Sequence, residues 1–225
     1  EIAGRKWERH FDDRLGLSHE EQSRYEGQPT TELPVTESLL ADKAAHRVQR
    51  RRDQQTFDPK FGFNMKVPEY LYDLGELKNL SVERGTLTEE ERYKSNEHII
   101  QTIMMLEGLP LPKNLRRIPE YAGNHHETLD GTGYPRGLTE EELCVPSRIM
   151  AIADIFEALT AYDRPYKKPK ALSEAIELLY KLKQKKHIDP NLFDLFLTSG
   201  VYLRYAERFL EPAQIDEVDI SCYLG

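Results

Sequence analysis

Residues 146–162 read PSRIMAIADIFEALTAY. Apolar side chains recur there at three- and four-residue spacing, and Pro146 and Ser147 suit a first helical turn. The run predicts a strongly apolar helix that ends before Pro165. Working outward, the same period returns. Thr88 is followed three residues later by Glu91, the spacing of a reciprocal N-terminal cap. The helix it opens carries Ile99, Ile100, Ile103, Met104 and Leu106 and stops at Gly108 and Pro110. A short helix is expected over residues 114–122. A longer one over residues 173–183 carries a core stripe of Ala175, Ile176, Leu178, Leu179 and Leu182. Asp189 and Pro190 open the next, and Gly200 separates it from a last helix ending near Leu210. Nothing alternates with period two, so the expected fold class is all-α.

The first third reads differently. QPTTELP at residues 28–34 has no apolar period, and HRVQRRRDQQ at residues 46–55 is a charge block. Short helical stretches are expected over residues 7–15 and 36–48. The chain therefore divides into a polar, irregular, partly helical segment, 1–66, supplying early helices of a bundle, a small separate region, or both, and a main domain, 67–225. The net charge of −8 over 225 residues argues against bulk nucleic acid as partner, so no DNA is expected. No apolar run is long enough to span a bilayer. Cys144 and Cys222 cannot build a disulfide framework, which suits the cytoplasm. A first residue of Glu1 rather than Met suggests a piece of a longer protein. The cluster Lys181, Lys183, Lys185 and Lys186 reads as a solvated face.

Chemistry concentrates in a few places. His125 and His126 are adjacent, and two neutral imidazoles in one loop can meet one transition metal. His98 lies mid-helix among apolar neighbours, where by itself it reads as a core histidine. Asp154 interrupts the apolar helix, with Ala151 and Ala158 about one turn to either side. A carboxylate buried there would cost several kcal/mol without a donor, a cation or a metal. Between these helices, DGTGYPRG at residues 130–137 is built for tight turns and close backbone approach.

Together, HHETLDGTGYPRGL at residues 125–138 and PSRIMAIADIFEALTAYDRPYKK at residues 146–168 closely resemble the HD-GYP family of metal-dependent phosphohydrolases. The resemblance runs over about residues 71–197, and LTEEERYKSNEH at residues 87–98 is similar to the family's stretch ending in a metal histidine. It implies a helical bundle of the HD superfamily. It also implies that His98, His125, His126 and Asp154 ligate a di- or trinuclear centre of divalent transition metal, iron or manganese. Tyr134 would face substrate from the GYP loop, and Arg164 and Lys167 would contact phosphate. The implied reaction is hydrolysis of cyclic di-GMP, or a related cyclic dinucleotide, in bacterial signalling. No side chain is singled out as catalytic; metal-held hydroxide is the implied nucleophile. A diguanylate-cyclase-type protein could dock on the GYP loop, and a homodimer stays open. The negative net charge does not oppose a dinucleotide where metal cations and Arg164 dominate locally.

The resemblance breaks at Tyr72-Asp73-Leu74-Gly75-Glu76, where the family has His-Asp, a hydrophobic residue, Gly and Lys. Asp73 is expected as a further metal ligand. Tyr72 removes a neutral ligand, because a phenol coordinates weakly unless deprotonated. Glu76 reverses a charge. Two consequences compete: a phosphodiesterase with reduced activity, or a catalytically degenerate module serving as sensor or scaffold. Alternatively a complete His-Asp pair precedes Glu1. Asp42 and His46 stand where the family's earliest ligand pair would fall, and a solvated face is the reading preferred there.

Overall fold

The computed structural model describes residues 2–51, 56–83, 85–162 and 168–225. Its contacts group the chain into two units, Glu1–Asp58 with Lys66–Glu97, and Pro59–Met65 with His98–Gly225. Both the early strands and the start of the long third helix belong to the first unit.

In the first unit, β1 (Lys6–Arg9) is followed by α1 (His19–Ser23) and β2 (Val35–Ser38). β1 and β2 pair antiparallel, with Lys6 opposite Ser38 and Arg9 opposite Val35. β3 (Arg47–Gln49) and β4 (Tyr70–Asp73) form a second antiparallel pair whose register shifts between Val48 and Gln49. These strands replace the helices expected over residues 7–15 and 36–48. Strands of three or four residues are too short to show alternation, and their pairing is non-local, so no period in the sequence announces them. Ion pairs fix the first ribbon. The Arg9 guanidinium, 4% exposed, donates to Glu37 at 2.6 Å and to the Phe11 carbonyl, while Lys43 approaches Glu37 at 3.1 Å.

After β4 comes α2 (Glu76–Leu80), capped by Asp42, whose Oδ1 accepts from the Leu77 and Lys78 amides at 3.0 and 3.3 Å. Thr88 and Glu91 then form the reciprocal cap expected. The Thr88 amide donates to Glu91 at 2.9 Å and the Glu91 amide to Thr88 Oγ1 at 3.3 Å. They open α3 (Glu89–Glu107).

The second unit continues with α4 (Ile118–Gly123), α5 (Val145–Thr160), α6 (Leu172–Gln184), α7 (Pro190–Thr198) and α8 (Val201–Phe209). The starts of α4, α5, α7 and α8 have local causes. Pro119 and Pro146 stand in the first turns of α4 and α5, and Asp189 accepts from the Asn191 and Leu192 amides at 2.9 and 3.1 Å. Gly200, at φ +69°, makes the left-handed turn between α7 and α8. The core they share is built from Ile152, Phe156, Leu172, Ile176, Leu179, Phe193 and Leu197. Chains buried this fully contribute about 1.5–3 kcal/mol each, which is why the helices hold together.

Lys183 belongs to this interior, contrary to the solvated face expected. Its ammonium is buried against Asp194 at 2.7 Å and the carbonyls of Tyr223 and Gly225 at 3.1 Å. The cause is position. Lys183 lies one turn beyond buried Leu179 on the inward face of α6, where its stem covers apolar surface.

Candidate metal centre

Two elements of the second unit bring the histidines together. His98 projects from α3, and His125 and His126 follow the end of α4. Gly123 allows this approach, since a Cβ there would lie 2.5 Å from Ile103 Cγ1 of α3. One ligand nitrogen from each of His98, His125 and His126 falls within 4.8 Å of the others. His98 and His126 present their Nε2 atoms to each other at 3.2 Å. Two ligands of one ion with bonds of about 2.0–2.1 Å stand roughly 2.8–3.4 Å apart, from cis-octahedral to tetrahedral geometry. The observed pair sits inside that range.

The rings are held from behind. His125 Nδ1 lies 2.7 Å from the Ala122 carbonyl, a contact made by donating its proton, which leaves Nε2 with its lone pair free for a metal. His126 is wedged between His125, with ring centres 4.1 Å apart, and Tyr134, stacked at 4.8 Å. Burial, and then the neighbouring His125, push the His126 pKa down to about 4, against the pull of Asp154. The ring is therefore neutral at pH 7, the form that ligates. Burial, with Asp154 adding, raises the Tyr134 phenol, so it stays protonated.

Asp154 is exposed on α5, so the cost of a buried carboxylate does not arise there. α5 turns Ser147, Ala151, Ile152, Phe156 and Thr160 inward, and Asp154 lies on the other side with Ala153 and Glu157. Its field still reaches both His126 and Tyr134. It is not part of the three-nitrogen group.

Asp73 lies in the first unit, 9% exposed at the end of β4. Its Oδ1 accepts from the Gly75 amide at 3.1 Å, and Oδ2 faces Lys78 at 3.4 Å and Arg47 at 3.8 Å. The two positions that depart from the family pattern do other work nearby. Tyr72 pairs across the ribbon with Val48, and Glu76 accepts from the Ala41 amide at 2.9 Å. The His46 ring accepts from the Lys43 amide at 3.3 Å. Arg164 and Lys167 lie outside the described residues.

The GYP loop has an organiser that sequence reasoning passed over. Glu127, 3% exposed, accepts from the Arg136 amide at 2.7 Å and the Leu138 amide at 2.9 Å. Burial raises its pKa against those donors. Arg136 in turn donates to the Phe61 carbonyl at 2.7 Å and to Asn124 at 3.0 Å, which tethers the loop to those two neighbours. Gly133 packs so closely that a Cβ would overlap the Glu127 and Thr128 backbone. The signal was present, since Glu127 directly follows the two histidines. Its amide partners lie 9 and 11 residues on, and the Phe61 carbonyl that anchors Arg136 lies 75 residues back, so neither was visible locally.

The sequence matches the model of a family described as HD domain over residues 34–192. The chain is 34% identical over 153 residues to 3'3'-cGAMP-specific phosphodiesterase 1 of Vibrio cholerae, covering 63% of this chain and 34% of that protein. It is 36% identical over 130 residues to a cyclic di-GMP phosphodiesterase of Thermotoga maritima, covering 56% and 34%. It is 32% identical over 136 residues to the cyclic di-GMP phosphodiesterase response regulator RpfG of Xanthomonas campestris, covering 59% and 35%. The chain thus spans about a third of the length of these curated relatives.

Proposed function

This chain belongs to the HD-domain family, in its HD-GYP branch, and on that premise we propose that it is a metal-dependent phosphodiesterase of cyclic dinucleotides. The observation that carries the proposal is the triad of imidazole nitrogens from His98, His125 and His126 within 4.8 Å. HD-domain phosphohydrolases bind divalent metals, and this donor set suits one. Asp154 supplies the negative charge beside it. Iron or manganese is the ion proposed, and cyclic di-GMP or 3'3'-cGAMP the substrate, following what the relatives are named for.

When bound, the metal supplies Lewis acidity toward the phosphodiester and acidifies water. The chain's own residues do the rest. The Ala122 carbonyl fixes the His125 tautomer, and burial keeps His126 unprotonated at neutral pH. The protonated Tyr134 phenol, stacked on His126, offers a donor from the GYP loop. Glu127 and Arg136 hold that loop in place. Arg164 and Lys167 are proposed as the phosphate contacts.

The departures at Tyr72 and Glu76 favour slow turnover, and a weakly catalytic sensor or scaffold is the second reading. Chromatographic analysis of cyclic di-GMP and 3'3'-cGAMP incubated with the metal-loaded chain decides between them. The proposal expects linear dinucleotide to form with metal, to stop on chelation, and to be absent in His126→Ala. Binding of either dinucleotide with no product above the His126→Ala level would overturn it in favour of the scaffold. A second variant, Asp154→Ala, is expected to lower metal content; unchanged metal per chain would remove Asp154 from the centre.

A further inference from the structure

The Asp73 carboxylate is already neutralised by cations of this chain. Lys78 Nζ stands 3.4 Å from Asp73 Oδ2 and 2.5 Å from Glu90 Oε1, bridging two buried carboxylates from β4 and α3. Glu90 is 4% exposed, and its second oxygen has no hydrogen-bond partner among the described residues. A buried carboxylate in that state requires a cation close by. Arg47, opposite Asp73 in the β3–β4 ribbon, adds a second positive group at 3.8 Å. The Asp42 cap on the Lys78 amide and the Asn79 contact to the Asp73 carbonyl at 3.0 Å fix the turn that places the ammonium.

We propose that Lys78 is a built-in cation occupying the role of a metal ion at Asp73, so that Asp73 is not a metal ligand in this chain. Metal is then held by the histidine group of the second unit, without Asp73. This deepens the metal-centre reading and rests on it for the histidines alone. The substitution accords with the sequence. Tyr72 provides no imidazole beside Asp73, so an ion there would lack its neutral partner. An ammonium needs no such ligand, since its three donors can divide between two carboxylates.

The test pairs metal analysis with a stability cycle. Metal per chain is counted in the wild type, Asp73→Asn and His126→Ala after loading with Mn²⁺. Thermal unfolding is followed in the chelated wild type, Lys78→Met, Asp73→Asn and the double variant. Metal content is expected to be unchanged in Asp73→Asn and lost in His126→Ala. Lys78→Met is expected to lower Tm by on the order of 5 °C. Removing the facing charge with Asp73→Asn should then restore part of that loss. A fall in metal with Asp73→Asn, or Tm effects of Lys78→Met and Asp73→Asn that simply add, would overturn the proposal. Absence of metal from the wild type would instead defeat the metal-centre reading, while the stability cycle would still decide the Lys78–Asp73 pair.

Discussion

Single side chains in this protein are legible through what they accept and donate. Asp130 opens the GYP loop by accepting from Thr128, at 2.5 Å, and from the Thr132 amide, at 3.1 Å. These donors hold its carboxyl down at about 2, below the usual aspartate value near 3.9. Because the folded pKa is depressed, the contribution to loop stability is fully present above the unfolded value and fades as pH falls through about 2. A carboxyl-detected NMR titration is expected to find Asp130 still ionised at pH 3; a midpoint near 4 would contradict these contacts. Sequence reading took the Lys181–Lys186 cluster as solvated, and the structure buries Lys183. Hydropathy gives the type of a residue, while the side of the helix it occupies is set by neighbours distant in sequence. On α5 the inward line runs through Ile152 and Phe156, and on α6 it continues from Leu179 to Lys183.

At the scale of elements, local signals were read well where they were local. Thr88 and Glu91 announced α3, Asp189 announced α7, and Gly200 announced the break before α8. The four short strands were missed because Arg9–Glu37 and Val48–Tyr72 join segments with no shared period. The GYP loop lies between these cases. Its glycines were visible as a turn signal, but its anchoring by Glu127 and by the Phe61 carbonyl was not. Gly133→Ala tests that anchoring, since the added methyl would collide with the Glu127 and Thr128 backbone rather than a side-chain tip. Overpacking of this kind costs about 1–3 kcal/mol. The variant should lose that much in denaturant midpoint and should also displace Tyr134 from His126, weakening metal retention. Wild-type stability and metal content together would refute the tight packing.

For the whole molecule, the helical core and the histidine group reside in one unit, so their integrity is coupled. Leu179 is completely buried among α6 and its neighbours, and Leu179→Ala should cost about 2–5 kcal/mol by denaturant titration. A loss below 1 kcal/mol would show the core to be looser than this packing implies. The family pattern located His98, His125 and His126 from sequence, and the fold brings their nitrogens within 4.8 Å. The account stands on those three imidazoles holding a metal. Counting transition metal per chain by mass spectrometry tests this most directly, comparing the wild type with a variant carrying His98→Ala, His125→Ala and His126→Ala. The account predicts metal retained through gel filtration by the wild type and lost from a variant that keeps its helical circular dichroism. Equal metal in the two folded proteins would contradict it.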